Sequence, residues 1–243
     1  MIRGTAPAGV PAGDDASAAR YVRQMFGRVA PRYDLLNHVL SCQIDRYWRR
    51  VTVAKVRHVL ERPGARPLDL CCGTGDLLAA LGRVCSGPTY GSDFCRPMLS
   101  AAHAKLGSQA RLIEADALAL PLPDATFDLV SVAFGLRNLT DYRQGVAEMY
   151  RLLRPEGLAA ILEFSQPRGR LVRPMYELYL RRVLPWLGGA ISGAGQAYRY
   201  LQQSVEKFLT PDELAALLRE AGFRKVEYWP LTGGIAVLHV AEK

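Results

Sequence analysis

The sequence predicts an α/β fold, a Rossmann-like and mostly parallel sheet with a terminal antiparallel hairpin. Three observations predict it. Pro67-Leu68-Asp69-Leu70 is a short apolar run that ends in the glycine turn Cys71-Cys72-Gly73-Thr74-Gly75 and opens onto the helical segment Leu77–Leu81. From Pro67 onward strand-like and helix-like segments alternate, which implies parallel strands joined by crossover helices. Two β-rich segments, Phe223–Trp229 and Ile235–Ala241, close the chain around Leu231-Thr232-Gly233-Gly234 and read as a hairpin.

Residues 1–18 are rich in Ala, Gly and Pro, with one arginine and no apolar h-region, so they read as a disordered lead-in and not as a signal peptide. Residues 19–62 read as a helical cap. Its first helix starts at Ala19–Phe26 and is broken by Pro31; its second runs from Ile44 to Leu60, with Trp48, Val51, Val56 and Val59 among the apolar positions, and stops at Pro63-Gly64. Such a cap either covers a ligand pocket and excludes water or packs on the sheet edge. Arg111–Ala115 is a third strand and Phe127–Ala133 a fourth, followed by Phe134-Gly135-Leu136-Arg137-Asn138. A helix runs from Asp141 to about Leu153, Pro155-Glu156-Gly157 turns the chain, and Leu158–Phe164 is an apolar strand interrupted only by Glu163. Residues 165–203 break the alternation: six arginines (168, 170, 173, 181, 182 and 199) edge an apolar stripe that includes Tyr176, Tyr179 and Trp186. That insertion suits a greasy substrate or a membrane surface, or else a helix packed with a solvated arginine face. Thr210-Pro211-Asp212-Glu213 starts a last helix, with threonine at the N-cap and proline behind it, and Gly222 stops it. No repeat or linker divides the chain, so residues 19–243 read as one domain.

The glycine turn carries the first chemistry. Gly73 and Gly75 let a ligand approach the backbone, and the helix that follows offers free N–H groups. A dinucleotide fingerprint would place glycine where Leu78 stands, and the Lys-Ser/Thr of a phosphate-binding loop is absent. Asp69 lies in the strand just before the turn, where an anion suits an amino or ammonium group. Asp93 ends the next strand, about one βα unit later, where a carboxylate accepts both ribose hydroxyls. Asp116-Ala117 ends the third strand, where a carboxylate meets an adenine amino group. Three successive strand ends, each with an acid, describe a pocket for a cationic nucleoside, S-adenosyl-L-methionine.

Composition narrows the class. A chain of 243 residues, 49% hydrophobic, is globular and within reach of a single α/β domain. It has no apolar run of about 18 residues that would span a membrane. Five cysteines (42, 71, 72, 85 and 95) include no C-x-x-C pair, which argues against a disulfide framework and a structural metal and for a reducing cytoplasm. Cys71 and Cys72 read as small packing residues. A net charge of +8 permits nucleic acid, an anionic membrane or an acidic substrate without choosing among them.

Further residues resemble a known family. Phe26, Val29-Ala30, Tyr33-Asp34, Asn37, Ser41, Arg46 and Trp48 are similar to the N-terminal signature of the menaquinone/ubiquinone-biosynthesis C-methyltransferases. Gly73-Thr74-Gly75-Asp76, Phe134–Asn138 with Asp141, Leu162–Ser165, Tyr198, Tyr200-Leu201, Ser204, Phe208, Gly222-Phe223 and Thr232–Gly234 continue the likeness over about residues 20–243. Ala133 departs from the serine often found there, and Asp45 from a frequent histidine. The resemblance implies a class I methyltransferase fold, S-adenosylmethionine as donor without a metal, and cofactor contacts at Thr74, Asp93 and Asp116-Ala117. It implies transfer to a ring carbon of a prenylated quinol, demethylmenaquinol or the benzoquinol precursor of ubiquinone. The cysteine usage and the arginine-edged insertion add the expectation of a cytoplasmic protein that meets the inner face of the membrane transiently.

A quinol hydroxyl pushes electron density onto the adjacent carbon, so the protein mainly orients two reactants. Arg137 is too weak an acid to serve as a base; it either stabilises a quinolate oxygen, with Asn138 beside it, or holds its loop by a salt bridge. Methylation of nucleic acid is disfavoured: the turn Ala133-Phe134-Gly135-Leu136 lacks the proline pair of base methylases. A non-catalytic cofactor-binding subunit of a quinone-synthesis assembly is the alternative of another class.

Overall fold

The computed structural model describes residues 4, 14–34, 41, 43–167, 178 and 195–243. Seven strands form one sheet: β1 (Pro67–Leu70), β2 (Thr89–Asp93), β3 (Ala110–Glu114), β4 (Phe127–Ala133), β5 (Leu153–Phe164), β6 (Arg224–Leu231) and β7 (Ala236–Glu242). Their order is β3-β2-β1-β4-β5-β7-β6, with β7 antiparallel to both neighbours and every other pairing parallel. The expected hairpin is therefore present, and its second strand lies between β5 and its first.

The described helices are α1 (Asp15–Val29), α2 (Ile44–Leu60), α3 (Asp76–Gly82), α4 (Arg96–Leu106), α5 (Tyr142–Leu152), α6 (Gly195–Lys207) and α7 (Pro211–Glu220). Leu68, Phe127, Val130 and Ile161 of the sheet pack with Val146, Met149 and Leu152 of α5 and Leu214, Leu217 and Leu218 of α7. Val56, Val59 and Leu60 of α2 and Leu77 and Leu81 of α3 pack with Leu129, Leu158 and Ala160 in a second cluster. Helices on both faces explain why every residue of β1 and β2 is buried. Each large apolar side chain buried this way contributes ~1.5–3 kcal/mol.

Local chemistry sets the boundaries. Helix α1 starts ahead of the expected boundary at residue 19, because Asp14 caps it by accepting the Ser17 N–H at 3.0 Å. Asp141 caps α5 in the same way through Gln144. At α7 the Thr210 hydroxyl accepts the Glu213 N–H at 3.3 Å and the Glu213 carboxylate accepts the Thr210 N–H at 2.8 Å, a reciprocal capping box. The expected turn at Pro155-Glu156-Gly157 lies inside β5. The strand runs on through Glu156 at φ 62°, and its pairing with β4 shifts register between Phe127 and Leu129. Most of the arginine-rich insertion lies outside the described residues, and α6 crosses its expected end at residue 203. No helix of the described residues is long and apolar enough to cross a membrane.

His239 on β7 is 2% exposed, and its Nε2 lies 3.0 Å from the Pro211 carbonyl, so that nitrogen carries the proton. Burial drives its pKa down to about 4, against the opposing pull of the Pro211 carbonyl and Asp212. The unfolded chain takes up this proton more readily, so stability is full above about pH 6.5 and falls as pH drops toward about 4. Melting curves from pH 7 to pH 4.5 are expected to show this slope, and His239→Gln to flatten it; an equal slope in the variant would assign it to other groups.

Candidate active site

The carboxyl ends of β1, β2, β3 and β4 open into a cleft of about 750 Å3, counted out to open solvent. Its wall includes Cys71 and Gly73 after β1, Asp93 and Phe94 at the end of β2, Asp116 and Ala117 after β3, and Phe134, Gly135 and Asn138 after β4. Phe26 and Tyr33 reach the same cleft from the N-terminal segment. The cap thus borders the pocket.

Gly73 and Gly75 both hold positive φ, 55° and 82°, a conformation that costs glycine little. Gly75 is the N-cap of α3, so the turn delivers free helix N–H groups beside the cleft. Asp93, 8% exposed, fixes this turn: one carboxylate oxygen accepts the Gly73 N–H at 2.9 Å and the other the Cys95 N–H at 2.8 Å. Burial raises its pKa, while these backbone hydrogen bonds and Arg23 pull it back. A carboxylate has about four acceptor sites, so Asp93 keeps capacity for a ligand hydroxyl beyond these backbone donors. Asp116 is exposed, and one of its oxygens accepts the Leu118 N–H at 2.9 Å, which aligns the carboxylate with the loop. Ala117 beside it is buried. A glycine cradle, two acids and apolar walls fit an adenosyl sulfonium. Among the described residues no group of three or more His, Cys, Asp or Glu side chains could hold a metal ion.

Three sequence-predicted side chains, like Gly75, lie off the cleft wall. Asp69 does not line the cleft: it is 1% exposed between β1 and β4 and accepts the Ser131 hydroxyl at 2.6 Å. Burial lifts its pKa to about 7, with the Ser131 hydrogen bond and Arg49 opposing. Thr74 is absent from the cleft wall as well, because its hydroxyl donates to Asp34 of the N-terminal segment.

Arg137 is the third. It is 4% exposed and stays out of the cleft wall, with Nη1 donating to Glu163 Oε1 at 2.7 Å and to the Phe134 carbonyl. The Arg137 and Phe164 backbone N–H groups donate to the same carboxylate, at 3.3 and 2.9 Å. Burial pushes the Glu163 carboxyl above its usual range, opposed by Arg137, and Arg137 stays a cation. Of the two roles open in the sequence, the salt bridge that holds the loop is the one built here.

That salt bridge shapes the cleft indirectly. Phe134 sits at φ 58°, unusual for a non-glycine residue, and its carbonyl accepts from both Arg137 and the Asn138 side chain. Its ring faces the cleft and also packs on Phe164 and Trp48, with centroids 4.5 and 5.8 Å away. Gly135 has no room for a side chain, since a Cβ there would lie 2.5 Å from the Cys71 Cβ. Asn138 remains at the cleft, its Oδ1 accepting the Tyr200 hydroxyl at 3.1 Å.

Sequence reasoning on single positions missed Phe94, Met98, Lys105 and the role of Glu163. Only Glu163 carried a signal, a lone acid in an apolar strand. Phe26 and Tyr33-Asp34 were visible through the family signature and not through periodicity.

Comparison with known proteins places this geometry. The model of the ubiE/COQ5 methyltransferase family matches residues 14–243. The chain is 47% identical over 223 residues to a demethylmenaquinone methyltransferase of Thermus thermophilus, covering 90% of this chain and 100% of that one. It is 40% identical over 229 residues to a ubiquinone/menaquinone biosynthesis C-methyltransferase UbiE of Geotalea uraniireducens, covering 91% and 96%. In fold it is similar to the crystal structure of a SAM-dependent methyltransferase from Aquifex aeolicus, with a TM-score of 0.57 at 20% identity over 79% of this chain and 88% of that one. The sheet is that of the class I methyltransferases, as expected.

Proposed function

We propose, since the chain belongs to the ubiE/COQ5 methyltransferase family, that its prenylated acceptor is demethylmenaquinol, methylated on a ring carbon to menaquinol. It is a methyltransferase that draws on S-adenosylmethionine. The observation that carries the site assignment is the cleft at the strand ends, where Asp93, Asp116 and Gly73 share one wall. In this reading Asp93 takes the ribose hydroxyls, Asp116 with Ala117 the adenine edge, and the Gly73–Gly75 turn the amino-acid tail.

When bound, S-adenosylmethionine supplies an electrophilic methyl group. The chain's own residues hold the quinol carbon in line with it, and orientation of this kind is worth ~7–11 kcal/mol of barrier. The S–CH3 bond breaks as the ring C–C bond forms, and the ring proton then passes to water or a nearby acceptor. Phe134 and Asn138 border the place where the acceptor ring arrives, and Asn138 keeps one amide N–H to orient a quinol oxygen. The arginine-edged apolar segment that follows β5 in the sequence suits the prenyl tail or a membrane surface; salt-sensitive flotation with anionic vesicles tests that part.

Turnover of a short-chain demethylnaphthoquinol with labelled S-adenosylmethionine tests the whole reading: label in the quinone fraction is expected. Label appearing only with a benzoquinol acceptor would favour the ubiquinone route, which the shared name of the Geotalea relative also covers. No label with either acceptor would overturn the assignment.

A further inference from the structure

A chain of ionic contacts runs along the outside of the glycine turn, and the methyl-transfer chemistry uses none of it. Lys105 on α4 donates from Nζ to Asp34 and to Asp76, each at 2.6 Å. The other Asp34 oxygen accepts the Thr74 hydroxyl. Asp76 also lies 3.6 Å from Arg49 of α2, which in turn pairs with Asp45, and Asp45 accepts the Ser41 hydroxyl at 2.5 Å. The Lys105 and Asp34 side chains are about one-third exposed and Thr74 is buried, so the contacts sit at the rim, not in open solvent. Burial disfavours the charge on Lys105, but its hydrogen bonds to Asp34 and Asp76 outweigh burial and raise its pKa.

The placement is what matters. Tyr33 and Gly73 line the cleft, and their immediate neighbours Asp34 and Thr74 are bonded to each other just outside it. Asp34 and Lys105 are 71 residues apart in sequence, so this contact fastens the N-terminal wall of the pocket to α4. Phe26 and Tyr33 ride on that wall, their rings 5.9 Å apart in an edge-on contact.

We propose that Asp34 and Lys105 are positioning residues: their ion pair latches the Phe26–Tyr33 wall against the glycine turn and sets how long the donor stays bound. This rests on the reading of the cleft as the S-adenosylmethionine site. Neither side chain touches the reacting atoms, so the latch governs donor affinity and leaves the chemical step alone. Because the pair is partly exposed, salt weakens it.

The test compares the full-length chain with Asp34→Ala, Lys105→Met and the double variant. Donor affinity is measured by calorimetry, dissociation by rapid dilution, turnover by labelled methyl transfer, and the wall by hydrogen exchange over residues 22–34. Each single variant is expected to raise the donor Kd and KM about tenfold and speed dissociation, with kcat within twofold. The double variant is expected to fall short of the sum of the two single effects, since the two side chains share one contact. Lys105→Arg is expected to retain most of the affinity. Exchange over residues 22–34 is expected to quicken in Asp34→Ala even without donor, while β1 and β4 keep their protection. Unchanged exchange there, additive single effects, or a fall in kcat at constant KM would overturn the latch. If the unaltered chain gives no heat with S-adenosylmethionine, the donor reading falls, and the exchange measurement alone decides whether the latch stands.

Discussion

Glu163→Gln is expected to melt well below the unaltered protein, by roughly 10 °C or more, and to lose turnover in proportion to the folded fraction. The carboxylate is 2% exposed and holds Arg137 by a 2.7 Å contact inside the sheet. A buried guanidinium cannot shed its proton, so removing its partner leaves an uncompensated charge, at ~3–5 kcal/mol. That is a large part of the ~5–15 kcal/mol that holds a typical domain together. A kilocalorie moves the melting point by about 2–4 °C at this chain length.

The reverse substitution is expected to be milder. In Arg137→Met the orphaned partner is Glu163, whose pKa burial already raises and which can take up a proton. A carboxyl whose folded pKa stands above its unfolded value stabilises most below the unfolded value and loses that contribution as pH rises. Arg137→Met should therefore gain stability toward pH 5 relative to pH 8, and Glu163→Gln should not. The pair Arg137→Met with Glu163→Leu removes both charges and should recover most of the melting point. Scanning calorimetry of the four proteins at both pH values decides the matter. A Glu163→Gln melting point within 2 °C of the unaltered chain, or Arg137→Ala turnover lost at full folding, would return Arg137 to a role in the chemistry.

Arg137 also marks where the sequence stops being legible. Its partner lies 26 residues away on the next strand, and nothing in periodicity or spacing pairs the two. Asp69 is the same case: the hydroxyl that claims it belongs to Ser131, 62 residues on, and reaches it only because β1 and β4 are neighbours. What could be read was local. The glycine turn announces itself because few residues tolerate positive φ, and Asp93 and Asp116 because they end successive strand-like segments. The start of α1 was local too, yet missed: the alanine-rich lead-in outweighed a single capping aspartate. The cap's contact with the cleft lay between these cases, one of the two placements that periodicity left open.

Asp93→Ala is expected to abolish measurable donor binding, a loss of at least a hundredfold, and this follows from two jobs done by one carboxylate. Toward the ligand it is the acid at the end of β2, and hydrogen bonds to a charged group contribute ~1.5–3 kcal/mol each. Two ribose hydroxyls therefore account for ~3–6 kcal/mol, and 2.7 kcal/mol already corresponds to about a hundredfold. Toward the protein it accepts the Gly73 and Cys95 N–H groups and so fixes the glycine turn. Asp93→Asn separates the two jobs. An amide keeps one accepting oxygen and replaces the other with a donor, so it satisfies only one of the two backbone N–H groups and turns like against like at the second. It should lose most of the donor affinity as well, although it conserves shape. Both variants should show faster hydrogen exchange at residues 73–76 without donor, which a loss of ligand contact alone would not produce. Unchanged affinity by calorimetry in Asp93→Ala would remove the residue from the site. Lost affinity with unchanged exchange would assign it to the ribose alone.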